Sequence, residues 1–195
     1  MAAFYLQIFY NGMIMILKNQ TILLFLVLSL IVICNCENTT EPDEKAPAID
    51  FKMETVDGDT LQLSDTFGKI VILQFMQWDC DACQAEVPVL NQIYQEYSRD
   101  EVILWSVSFP HSLDSSSLNN LKNNFIDVYN PKYPILIDNR KYTSVNGNPI
   151  YVFQAYEVTR TPTTVIIDKE GFIRFYYDDS TVPKASFDEW IKELK

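Results

Sequence analysis

The sequence predicts an α/β domain: a central mixed β-sheet flanked by helices, with a β-hairpin added at its N-terminal end. Three observations predict it. Two continuous apolar runs, KIVILQFM (69–76) and VILWSVSF (102–109), are each followed by apolar residues at helical spacing. Such alternation builds a parallel sheet covered by helices. TTVIID and FIRFYY, joined by the turn Asp168–Gly171, then close the sheet as an antiparallel pair. Ahead of all these, DFKMETV and DTLQL alternate around Asp57-Gly58, a strong hairpin signal.

Taken in order, the hairpin is followed by a strand over 69–76 that is apolar on both faces. Val87, Leu90, Ile93, Tyr94 and Tyr97 then mark one face of a helix ending near Tyr97. The second buried strand follows over 102–109. Ser115 is placed to cap a helix whose inward positions are Leu118, Leu121, Phe125 and Val128. YPILID (133–138) reads as a short strand, and Asn148-Pro149 as the opening of a helix through Val152 and Tyr156. Ser186 and Glu189 form a capping box for a last helix with Phe187, Trp190, Ile191 and Leu194 inward. No internal repeat and no second domain is visible.

The front end reads as address rather than fold. Residues 1–34 hold no Asp or Glu and one Lys, Lys18, ahead of the apolar run TILLFLVLSLIVIC (21–34). That run is short for a span of roughly 20 residues and the right length for a signal-peptide core. Residues 1–36 are therefore expected to be a signal peptide or membrane anchor, with Met13 and Met15 as alternative starts that leave a compact signal. Lys18 before the run and Glu37, Glu41, Asp43 and Glu44 after it predict an outward-facing domain. Cys34 and Cys36 are candidates for a lipidated first residue, although Ile33 and Asn35 stand where a small residue is expected. Residues 37–50 read as an acidic linker, with a glycosylation-type triplet at Asn38-Thr39-Thr40, and 51–195 as the domain.

The chain carries a net charge of −11. Beyond Lys18 it holds 14 basic against 26 acidic residues, a balance that argues against nucleic acid and anionic lipid heads as partners.

Cys80 and Cys83, in QWDCDACQAEVP (77–88), carry the chemistry. A structural zinc site needs four ligands. The remaining cysteines lie in the leader, and the one histidine, His111, reads as a loop residue, so no metal is expected. As a staple the pair closes too short a loop to remove much chain entropy. The redox reading explains the placement: Cys80 falls between a buried strand and a helix start, where free N–H groups and the helix dipole favour a thiolate. A C-x-x-C beside a βαβ pattern is the thioredoxin-like redox signal.

The chain resembles the TlpA/ResA-type thiol–disulfide oxidoreductases of the thioredoxin superfamily over about residues 46–195. The motif C-x-x-C-x-x-E-x-P (Cys80, Cys83, Glu86, Pro88), the run YEVTRTPTTVIIDKEG (156–171) and the added hairpin carry the resemblance. It implies a thioredoxin-like fold, with Cys80 as attacking thiol, Cys83 as resolving thiol and Glu86 as the acid that exchanges protons with the pair. It also implies that Pro162 is a cis-proline against the cysteines and that Thr161 offers backbone hydrogen bonds to an extended client. Trp78, one position before the family's usual tryptophan, joins the expected client-facing surface. No cofactor beyond the Cys80–Cys83 redox disulfide is implied. The expected partners are client proteins with thiols or disulfides, a transmembrane electron donor, and the membrane through an N-terminal anchor. Cytochrome c maturation is one client class the family suggests.

Three departures bear on redox poise and partner surface: Asp79 replaces tryptophan before Cys80, Asp81-Ala82 separates the cysteines, and Arg160 stands where a small residue is common. Asp79 and Asp81 oppose a Cys80 thiolate by a Coulomb term of the same order as the helix dipole, which predicts a reductant. Two alternatives stand beside this reading. One is a thioredoxin-like binding or chaperone module without redox turnover. The other is a thiol peroxidase, whose P-x-x-x-T-x-x-C pattern LQFMQWDC (73–80) does not match. Copper delivery, which uses C-x-x-x-C and a late histidine, does not fit the spacing.

Overall fold

The structure is a computed structural model that describes residues 46–109, 115–139, 142–143, 149–178 and 180–195. The expectations for the leader, the start of the linker, the Asn38 triplet and His111 lie outside these residues. The chain from Lys45 to Lys195 forms one compact unit.

Its central strand, β3 (Ile70–Met76), is buried at every residue. It pairs in parallel with β4 (Val102–Ser108) and antiparallel with β8 (Thr163–Ile167). Outside these lie β5 (Ile135–Ile137), parallel to β4, and β9 (Ile173–Tyr177), antiparallel to β8, giving the order β5-β4-β3-β8-β9. The N-terminal hairpin is β1 (Lys52–Glu54) with β2 (Thr60–Gln62), and Gly58 at its turn has φ +92°, which favours glycine. This is the predicted mixed sheet with its added hairpin.

Alternation along β3 assigns its two faces. Val71, Leu73 and Phe75 join Phe51, Met53, Trp105, Val152, Phe153 and Tyr156 under the hairpin. Ile70 and Ile72 face α1 (Asp81–Glu96) and α4 (Lys184–Leu194), packing with Leu90, Ile93, Phe187 and Ile191. Met76 lies further along that face with Cys83, Val87, Leu121 and Phe125.

Four local differences from the sequence reading have physical causes. Pro149–Ile150 (β7) pairs with Tyr142–Thr143 (β6), and helix α3 is only Val152–Ala155, with Tyr151 rather than Asn148 at its N-cap. In α4 the N-cap is Pro183, without a side-chain cap, because the helix begins two residues before Ser186. Helix α2 (Ser115–Leu121) runs on through a π turn (Lys122–Ile126) to Tyr129. The extra residue in that turn rotates the helical residues beyond it, so Val128 is 62 % exposed while Tyr129 packs inward beside Phe125. Finally, packed chain begins ahead of Phe51. Ala46 and Ala48 hydrogen-bond beside Phe172, and Ala48 and Ile49 cover the hairpin-side core.

Phe75 is fully buried against Phe153 (5.0 Å) and Tyr156 (5.4 Å). Phe75→Ala is expected to lower the unfolding free energy by about 3 to 5 kcal/mol in urea titration, whereas Val128→Ala should change it by less than about 0.5 kcal/mol.

Candidate functional site

The site forms where β3 ends. Cys80 is the N-cap of α1, with extended backbone (φ −88°, ψ 109°), and its carbonyl accepts from the Gln84 amide at 3.0 Å. Its Sγ accepts the Cys83 N–H at 3.1 Å, one of the donors a helix start leaves unpaired. Cys80 and Cys83 are joined as a disulfide, with Cα atoms 5.2 Å apart. Cys83 is fully buried and Cys80 half-buried, so Cys80 is the sulfur a second protein can reach. Asp79 and Asp81 on either side are exposed.

The loop before β8 closes the other side. The Thr161–Pro162 peptide bond is cis, and the Thr161 carbonyl oxygen lies 3.6 Å from Cys80 Sγ. In the dithiol form that thiol is placed to donate to it. Thr161 Oγ1 is 3.4 Å from Gln77 Oε1, and the Cys80 amide donates to the Gln77 carbonyl at 3.2 Å. A cavity of about 320 Å³ opens beside this junction, lined by Gln77, Phe109, Tyr151, Phe153, Arg160 and Thr161 among others. Its rings touch one another, Phe109 lying 4.8 Å from Tyr151 and 5.1 Å from Phe153 between centroids. The Arg160 side chain is exposed and pairs loosely with Asp178 at 3.9 Å.

Glu86, one turn after Cys83 on α1, is 1 % exposed. Its Oε1 accepts the Val182 amide at 2.7 Å and its Oε2 accepts Gln74 Nε2 at 2.8 Å. Burial raises its carboxyl above the ordinary value, and the two hydrogen bonds partly offset that rise. Gln74 Oε1 in turn accepts from Ser106 Oγ at 2.6 Å. The Tyr133 phenol is held well above its ordinary value, first by burial and further by the Glu86 charge.

The structure thus brings Cys80, Cys83, Thr161 and Pro162 together, with Glu86 buried behind Cys83. Trp78 packs against the cluster of Met76, Cys83, Val87 and Phe125, as Cys80 does, and its carbonyl accepts from Gln84 Nε2 at 2.9 Å. Sequence reasoning missed Gln74, Ser106 and Tyr133. The one available signal was a glutamine interrupting an otherwise apolar β-strand run. Among the described residues no group of three or more His, Cys, Asp or Glu is placed to hold a metal ion.

Glu86 makes stability pH-dependent with a definite sign. Its folded value lies above the ordinary 4.5, so the folded state binds the proton more tightly than the unfolded chain. Stability from this group is complete below about pH 4.5 and is lost as pH rises through the folded value. Glu86→Gln removes that loss. In thermal melts of the oxidised protein the variant should exceed wild type near pH 8, with the gap closing near pH 4.

Comparison with known proteins agrees with this geometry. The AhpC/TSA family model matches residues 43–176. The thiol–disulfide oxidoreductase ResA of Oceanobacillus iheyensis is 33 % identical, over 80 % of this chain and 77 % of its own. That of Bacillus thuringiensis is 28 % identical over 91 % and 98 %. Among solved structures, the pneumococcal exposed lipoprotein thioredoxin of Streptococcus pneumoniae superposes with a TM-score of 0.58 and 28 % identity, over 75 % of this chain and 100 % of its own. The chain belongs to the AhpC/TSA family and, within the thioredoxin superfamily, to the ResA/TlpA-like thiol–disulfide oxidoreductases, whose exchange chemistry its Cys80–Cys83 pair performs.

Proposed function

We propose that the protein works outside the cytoplasm, anchored to the membrane or secreted, as a reductant of disulfides in client proteins. The observation that carries the reading is the asymmetry of the pair, a reachable Cys80 at a helix N-terminus bonded to a fully buried Cys83. The Cys80 thiolate attacks a client disulfide, forming a mixed disulfide and releasing one client sulfur as thiolate. Cys83, losing its proton to Glu86, then attacks Cys80 Sγ. The Cys80–Cys83 disulfide forms and the second client sulfur leaves, so two electrons pass to the client. A two-electron donor at the membrane restores the dithiol.

Client segments lie extended along Thr161, against Pro162, and a side chain near the client cysteine enters the aromatic cavity beside them. Trp78 supports this surface from behind, through the Gln84 contact. The direction of electron flow follows from charge: exposed Asp79 and Asp81 flank Cys80, and Arg160 is turned to Asp178. These groups oppose the stabilised thiolate that makes a strong oxidant. The extracytoplasmic setting is supported by the apolar run 21–34 behind Lys18. Proteins awaiting haem attachment are one client class that the family resemblance suggests.

Titrating the Cys80/Cys83 couple of the full chain against dithiothreitol should give a potential near thioredoxin's, about −270 mV. A value near about −120 mV would overturn the reductant reading. With a disulfide-bonded model client, Cys83→Ser should accumulate a mixed disulfide through Cys80, and Cys80→Ser should form none. Continued client turnover by Cys80→Ser would sink the exchange mechanism itself.

A further inference from the structure

Gln74 sits fully buried in the middle of the central strand, where β3 is otherwise apolar. On the α1 side of the sheet it falls between Ile72, in one apolar cluster, and Met76, in another. Its register partners are also polar and buried: Ser106 on β4 and Thr164 on β8. A polar row therefore crosses the sheet directly beneath Glu86.

The hydrogen bonds in this row have a direction. An ionised carboxylate only accepts, so the amide NH₂ of Gln74 must face Glu86. The amide oxygen then faces Ser106, which gives it the hydroxyl proton. The second carboxylate oxygen is held by the Val182 amide. This arrangement serves the ionised form alone: a proton on Oε2 would point at an N–H group. Protonated Glu86 requires the amide to reverse, presenting its oxygen to Glu86 and its NH₂ to Ser106. Ser106 must then send its own proton elsewhere. The Tyr133 hydroxyl, buried and beside Ser106, is the group placed to receive it.

We propose that Gln74 is a positioning residue for Glu86, and that Ser106, by fixing which end of the Gln74 amide faces the carboxylate, sets the form in which Glu86 meets Cys83. The inference rests on the reading of Glu86 as proton partner of Cys83. Among the described residues, the titratable groups that face Glu86 are Cys83 on its own helix and Tyr133 ahead of β5. The other elements packed around it present Gln74, Ser106, Thr164 and the Val182 amide, none of which titrates.

The test is the titration of the Glu86 side-chain carboxyl, followed by ¹³C NMR in the oxidised full chain and three variants. Gln74→Met keeps the side-chain size and removes a donor to the charged form, so the midpoint should rise by about one pH unit, a tenfold change in the ionisation constant. Ser106→Ala frees the amide to reverse and should raise the midpoint by less. Thr164→Val removes a buried hydroxyl of the same row that does not bond Gln74, and should leave the midpoint where it is. An unmoved midpoint in Gln74→Met, or an equal shift in Thr164→Val, overturns the proposal. Should Gln74→Met fail to fold, Ser106→Ala decides, and no shift there overturns it. The pH dependence of the reduction potential separates the two layers. If the Glu86 midpoint moves in these variants while the potential's pH profile does not, Gln74 and Ser106 keep their role and the coupling of Glu86 to Cys83 fails.

Discussion

The antiparallel register between β3 and β8 sets where the loop carrying Thr161 and Pro162 meets Cys80. Phe75 pairs with Thr163, and the same register carried two residues further brings Gln77 opposite Thr161. The link between their side chains, at 3.4 Å, follows from that pairing. Thr161 then lies over the first turn of α1, with its carbonyl against Cys80 Sγ. Slipping this register by one residue would exchange the faces of β8, turning Val165 and Ile167 away from the hairpin-side core they help to fill. Burial on both faces of β3 thus locks the register, and the register places the chemistry.

The second constraint is the carboxylate buried behind the pair. An amide or hydroxyl taken out of water without a partner costs roughly 1 to 3 kcal/mol, and an unpaired charge costs far more. Glu86 is tolerated because two donors meet its two oxygens, one from β3 and one from the segment before α4. That segment therefore does more than lead into a helix. Its Val182 side chain joins the core beside Phe187 while its amide holds Glu86, so the segment leading into the C-terminal helix is tied to the carboxylate buried behind Cys83. The polar row also separates two apolar clusters on one face of the sheet, which explains why Met76, Cys83 and Phe125 pack apart from Ile72 and Leu90.

Division of labour between the cysteines follows from the same helix start. Cys80, as N-cap, stands at the surface with its sulfur near unpaired amides; Cys83, in the first turn, points into the core. The acidic surface around them and the aromatic cavity to one side give this face a mixed character, charged at the disulfide and apolar beyond Thr161. A folded domain of this size does not need the disulfide as a staple, which leaves the bond free to open and close in each cycle.

The sequence by itself determined the elements whose signal is local. The hairpin at Asp57-Gly58, the buried runs at 69–76 and 102–109, the helix after Cys80 and the antiparallel close were legible because period and turn chemistry act within a few residues. The C-x-x-C pair was legible because its spacing and its place before a helix are themselves local facts. Where one residue of geometry intervened, legibility stopped. The π turn at Lys122–Ile126 exchanged Val128 for Tyr129, and the short β6–β7 pairing replaced a helix start at Asn148. Only the tertiary structure decided that Thr161 touches Cys80 across 81 positions and that Val182 reaches Glu86 across 96. The same is true of Gln74, which looked like one polar residue in an apolar strand. Its partners lie on a helix and on another strand, and a buried hydrogen bond is specified by the fold that brings both ends together rather than by either residue alone.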